Sequence, residues 1–191
     1  MLSLNNNKIK AKQIFKQMKD NTIILIIITW VTLLTSISVL LNDIYEFNFN
    51  QFKEFQNWAK VTEKNETWLT SENTIQWSYY IISAGLFFWR SYLIYGFSYF
   101  LSILKEIDRG SYFSDNNIRY FRRIGNIFIQ YTISVLVLRF LMAAIGDTKF
   151  DFFNELKAEF TFLIPSGLTF FILAEIFKRG KEVEEENDLT I

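Results

Sequence analysis

Thr22–Leu41 reads TIILIIITWVTLLTSISVLL, twenty residues without a charge. At 1.5 Å rise per residue such a helix covers about 30 Å, the hydrocarbon thickness of a bilayer. Ile23 to Ile28 leave no polar face that a soluble helix could turn to water. A cleaved signal peptide has an apolar run of only about 7–15 residues, ending in small residues. Here the run is longer, and Asn42, Asp43 and Ile44 follow it. The stretch is therefore expected to be an uncleaved membrane span.

Three more stretches qualify by length and apolarity. Trp77 to Leu104 carries one charge, Arg90, and Ile124 to Ile145 carries Arg139. Phe160 to Phe177 carries Glu175 and contains Pro165. The chain of 191 residues has one Pro and seven Gly, too little turn punctuation for anything but long helices. The expected fold is all-α: a single integral-membrane four-helix bundle over residues 1–191. Its spans lie at about 22–41, 77–104, 124–145 and 160–177, with an outer loop at 42–76 and a tail at 178–191.

Basic residues near span ends set orientation. Lys8, Lys10, Lys12, Lys16 and Lys19 precede the first span. Lys105, Arg109, Arg119, Arg122 and Arg123 lie between the second and third, and Lys178, Arg179 and Lys181 follow the fourth. The opposite side has Lys53, Lys60, Lys64, Lys149 and Lys157, with six acids in the longer loop. Both termini are therefore expected in the cytoplasm. The location implied is a membrane with both termini on its cytoplasmic side, and the lipid bilayer is the first partner.

Composition excludes several chemistries. Without Cys there are no disulfides, thiolate metal sites or thiol nucleophiles. Without His the usual general base and the commonest metal ligand are missing. Twenty basic and twenty acidic residues balance, which speaks against direct nucleic-acid binding. No phosphate-cradling glycine loop or catalytic constellation occurs. No enzyme, metal or cofactor is expected.

Outside the spans, residues 8–20 read as a basic helix that runs into the first span, with Ile9, Ile14, Phe15 and Met18 on its apolar side. It is expected to lie on the inner leaflet or to serve as a topogenic lysine cluster. In the outer loop, Phe49, Phe52, Phe55 and Trp58 share half a helical wheel, which suits an interfacial helix or packing on the bundle. Gly110 is expected to end the second helix, and Ser114 to cap the third with Asp115 at its positive end. Gly180 is expected to end the fourth.

Charges within spans tend to face the bundle interior. Counted from the cytoplasmic span ends, Arg90 and Arg139 lie at about the same height, roughly 21–22 Å up. Glu159 and Asp147 are the nearest acids from the outer side. These four make a candidate outer polar pocket for an anion, or else two structural Arg pairs that set helix register. Asn126 and Gln130, and Thr29, Thr32 and Ser36, are expected to be interhelical glue.

Two stretches carry a resemblance. One is Gly110-Ser-Tyr-Phe-Ser-Asp-Asn-Asn117, followed by Arg119, Arg122, Arg123, Ile124 and Gly125. The other is Leu173-Ala-Glu-Ile-Phe177, Gly180, and Glu184-Glu-Glu-Asn-Asp-Leu-Thr-Ile191. Together they resemble the YoaS-like family of small four-helix bacterial membrane proteins, a domain-of-unknown-function family. The long aromatic outer loop departs from that pattern. The resemblance implies no chemistry. It suggests as partner a small helix-turn-helix regulator, because genes of the family often stand beside one. Phe113, Asn117, Glu185, Asp188, Leu189 and Ile191 are the candidate cytoplasmic partner surface. The expected function is a non-enzymatic sensor or membrane partner of such a regulator. The alternatives are a small transporter or efflux subunit, or a purely structural membrane protein.

Overall fold

The computed structural model describes residues 2–46, 72–145 and 152–189, with side chains for residues 20–45, 76–144 and 161–189. They form four helices: α1 (Leu2–Glu46), α2 (Glu72–Asp108), α3 (Asp115–Ile145) and α4 (Phe152–Asp188). Among the described residues, three segments are long and apolar enough to cross a membrane: Asp20–Tyr45, Asp115–Ala144 and Thr161–Asp188. The expected span Trp77–Leu104 is not one of them. Its apolar surface comes largely from Tyr, Trp and Phe interleaved with Ser, and aromatic and hydroxyl groups lower its hydropathy without shortening the helix.

The helices pack in chain order, α1 on α2, α2 on α3 and α3 on α4. The main core belongs to α2, α3 and α4. Ile103, Ile118, Phe121, Ile124, Ile127, Phe128 and Ala174 are its buried centre. Phe170 joins the three helices, with ring centroids 6.3 Å from Phe100, 6.2 Å from Phe121 and 5.5 Å from Phe128.

Outside that core, α1 follows a simple rule. Of residues 20–45, only Thr22, Ile26, Thr29, Leu33, Ser36, Leu40 and Asp43 are buried or half-buried. Their spacing alternates four and three, the heptad seam of a coiled-coil contact. One column holds small polar residues (Thr22, Thr29, Ser36, Asp43) and the other holds Ile26, Leu33 and Leu40. Thr29 and Ser36 are thus on the seam, as glue residues should be. Thr32 is off it and exposed, its hydroxyl donating to the Ile28 carbonyl at 2.9 Å. Thr29 and Thr35 make the same bond to Leu25 (2.7 Å) and Val31 (2.8 Å). Each hydroxyl is satisfied within its own helix, as lipid would require.

Glycines set the closest approaches. A Cβ on Gly125 would stand 2.8 Å from the Gly167 carbonyl oxygen, and one on Gly167 would stand 3.1 Å from that of Gly125. So α3 and α4 cross backbone against backbone. Pro165 does not end α4, which runs on through it.

The basic N-terminal helix runs into the first span as one continuous α1. One expected boundary changes. The fourth helix does not stop at Gly180 but continues to Asp188. The tail is therefore mostly helix, because Gly180 serves close packing rather than termination.

Candidate functional site

The turn between α2 and α3 is built as its sequence suggests. The Ser111 N–H donates to the Glu106 carbonyl at 3.0 Å and the Gly110 N–H to that of Ile107 at 2.9 Å. Gly110 has φ +85°. This is a Schellman stop, which needs a left-handed residue where Gly stands. Ser114 then caps α3, its Oγ accepting the Asn117 N–H at 3.1 Å while donating to Glu106 Oε2 at 2.6 Å. Asn116 Nδ2 donates to the other Glu106 oxygen at 3.3 Å.

Asn117 holds the turn from within. It is fully buried, and its Nδ2 donates to the Ser111 and Tyr112 carbonyls, both at 2.9 Å. It is therefore unavailable as partner surface, since its amide replaces the bonds those turn carbonyls would otherwise make with water.

Phe113 likewise turns inward. Its ring lies 5.5 Å from that of Phe177, which in turn lies 4.8 Å from that of Phe121. Its edge fills the space above Gly180, where a Cβ would meet Cδ1 at 2.6 Å. Around this wedge, Lys181 Nζ donates to Asp115 at 2.6 Å and pairs with Glu185 at 3.5 Å. Glu175 stands 4.0 Å from Arg122 and 3.7 Å from Arg179. The two stretches singled out in the sequence are thus one junction, with the turn docked on α4. Beyond it, Glu182 to Leu189 is exposed, and Leu189 is 88% exposed. Glu185, Asp188 and Leu189 of the candidate surface lie on this extension. Ile191 lies outside the described residues.

At the opposite end, Arg90 donates to Asp43 of α1 and forms an ion pair with it. Asp43 had marked only the end of the first span. Its place on the heptad column through Thr22, Thr29 and Ser36 is the sequence signal that points it at α2. The register also separates the two arginines. Gly85 faces Leu138 and Gly96 faces Ile127, so Arg90 is level with Ile133. Arg139 is about six residues, or ~9 Å, further from the turn. The expected equal heights came from counting at Leu104 and Ile124, whereas the short turn sets Asp108 level with Asp115. Arg139 is half-buried and engaged by its surroundings. Asp147 and the Glu159 side chain lie outside the described residues, as does the aromatic loop. Among the described residues, no group of three or more Asp or Glu could hold a metal ion.

A family model described as protein of unknown function (DUF2975) matches residues 65–191, which takes in α2, α3, α4 and the whole docked turn. No curated protein and no solved structure matches the chain.

Proposed function

The chain belongs to the DUF2975 family of proteins of unknown function, and we propose that it is a non-enzymatic, multi-pass protein of the bacterial inner membrane that captures a basic cytoplasmic protein on the extension of α4. Both termini and the α2–α3 turn face the cytoplasm in this reading, and α2 is a span too, the second of four, shielded by α1 and α3. Within the family, the chain belongs with the YoaS-like group, whose neighbouring helix-turn-helix regulators make the partner class.

One observation carries the reading: α4 does not stop at Gly180 but continues as helix to Asp188, braced at Gly180 and Lys181 by the docked turn. The turn gives that extension a fixed direction. It presents Glu182, Glu184, Glu185, Glu186 and Asp188, followed by Leu189. Such an array steers a basic surface by long-range attraction, and apolar contact then holds it. The DNA-binding face of a small regulator has that charge, so capture would compete with DNA.

The test is pull-down of the neighbouring regulator with the full chain and with residues 184–191 deleted, at low and high salt. Capture should need those residues and weaken with salt. Undiminished capture by the truncated chain removes the extension from the mechanism. Absence of capture by the full chain removes the regulator. A transporter is supported instead if purified protein in sealed vesicles moves a solute across the bilayer.

A further inference from the structure

The face of α2 and α3 turned away from α4 is polar where lipid should be. On α3, the exposed residues include Arg119, Arg123, Asn126, Gln130, Ile133, Val137 and Phe140. The steps between them alternate four and three, the same heptad rule that places α1 on α2. Here, however, no helix among the described residues covers the stripe. Beside it on α2, Tyr95 and Tyr99 share a 2.8 Å hydroxyl contact, and Tyr92 OH donates to Gln130 Oε1 at 3.5 Å. Gln130 thus accepts from α2 across the helix pair, as a glue residue should, yet both Gln130 and Asn126 remain exposed on an apolar segment, Asn126 on the same outward stripe.

Amides facing hydrocarbon are costly, and in bilayers they commonly pair across helices. Glu72, the first residue of α2, lies far from them, ~30 Å along the helix from Tyr92.

We infer that this face joins two copies of the chain, α3 against α3 about a two-fold axis along the membrane normal. The inference rests on the bilayer reading above. Such an axis sets each residue opposite its own counterpart at equal depth, an isologous contact. A carboxamide is both donor and acceptor, so Asn126 and Gln130 can each pair with themselves. Ile133, Val137 and Phe140 continue the seam as apolar contact. The arginines do not block it, because both are drawn aside within their own copy. Arg123 donates to Tyr99 OH at 3.0 Å and covers its ring at 5.4 Å, and Arg119 donates to Asn116 at 2.5 Å.

The absence of Cys makes the test direct, since one introduced thiol reports alone. Membranes holding the full chain are first extracted with alkaline carbonate. Release of the chain would overturn the bilayer reading and this interface with it, whereas retention leaves the interface to be decided by cross-linking. Gln130→Cys and Ile133→Cys, oxidised in the membrane, should give covalent dimers, while Ile172→Cys on α4 and Leu34→Cys on α1 should stay monomeric. Asn126→Leu combined with Gln130→Leu should lower the dimer fraction about tenfold at fixed lipid dilution. Equal cross-linking at all four positions, a monomeric native chain, or an unchanged dimer fraction in the double variant would each overturn the proposal.

Discussion

Gly180 sits inside a helix, where glycine costs about 1 kcal/mol relative to alanine. That cost has a visible return, because the Phe113 ring occupies the space of a Cβ. Opposite effects should therefore follow in two backgrounds. Gly180→Ala alone pushes the ring off its seat and should destabilise by about 1–3 kcal/mol. In a Phe113→Ala background the space is free, and the same change should be neutral or stabilising. Thermal denaturation of the four proteins in detergent reads the cycle, and a Gly180→Ala effect of the same sign in both backgrounds would separate Gly180 from Phe113. Asn117 is constrained differently. Asn117→Ala removes the Nδ2 donor that serves two turn carbonyls, and leaving buried groups unsatisfied should cost about 1–3 kcal/mol. Loss of tail capture in that variant would then report a displaced turn rather than a lost contact surface.

Helices in this protein meet at two kinds of glycine, and substitution should tell them apart. At Gly125 the neighbour is backbone, the Gly167 carbonyl at 2.8 Å from a Cβ. Neither helix can yield without moving as a whole. At Gly85 the nearest atom is the end of the Leu138 side chain, at 3.1 Å. That end can rotate. Gly125→Ala should thus lower the midpoint of unfolding clearly, by about 1–3 kcal/mol, while Gly85→Ala should be nearly silent because a gain in helix propensity offsets a small adjustment. Equal losses would contradict the backbone crossing.

The tie between α1 and α2 can be read by charge reversal. Asp43→Asn leaves Arg90 without its carboxylate. The pair is partly exposed, so about 1 kcal/mol is expected. Asp43→Arg with Arg90→Asp should recover more stability than either single reversal. Failure of the double reversal to recover any would mean that Arg90 and Asp43 do not depend on one another.

For the molecule as a whole, the orientation predicts a labelling pattern. Cysteines placed at Asn7, Asn116 and Asn187 should resist an impermeant thiol reagent in intact cells, and one at Asn65 should react. Reaction at Asn187 but not Asn65 would invert the arrangement. Reaction at both would mean that the chain crosses an even number of times between them, and would remove α2, α3 or α4 from the spans.

Much of this architecture was legible in composition because helices in lipid must satisfy their backbone internally and need only length and apolarity to announce themselves. The charge-free run at Thr22–Leu41, the Gly110 stop, the Ser114 cap and the helical class all follow from local chemistry. What local chemistry could not supply was the partner of each side chain. Gly180 reads as a stop because glycine usually ends helices, yet the ring beside it comes from a turn 67 positions earlier. Arg90 and Arg139 seemed level because span ends were counted separately, and the length of the turn, which sets one helix against the next, moved them apart. Asn117 seemed a surface residue until the turn closed over it. Sequence determined which segments are helices and, for three of the four expected spans, which are apolar enough for a membrane, since those properties belong to a single segment. Tertiary structure alone decided the α1 seam, the docked turn and the outward amides, since register and contact are properties of two segments at once.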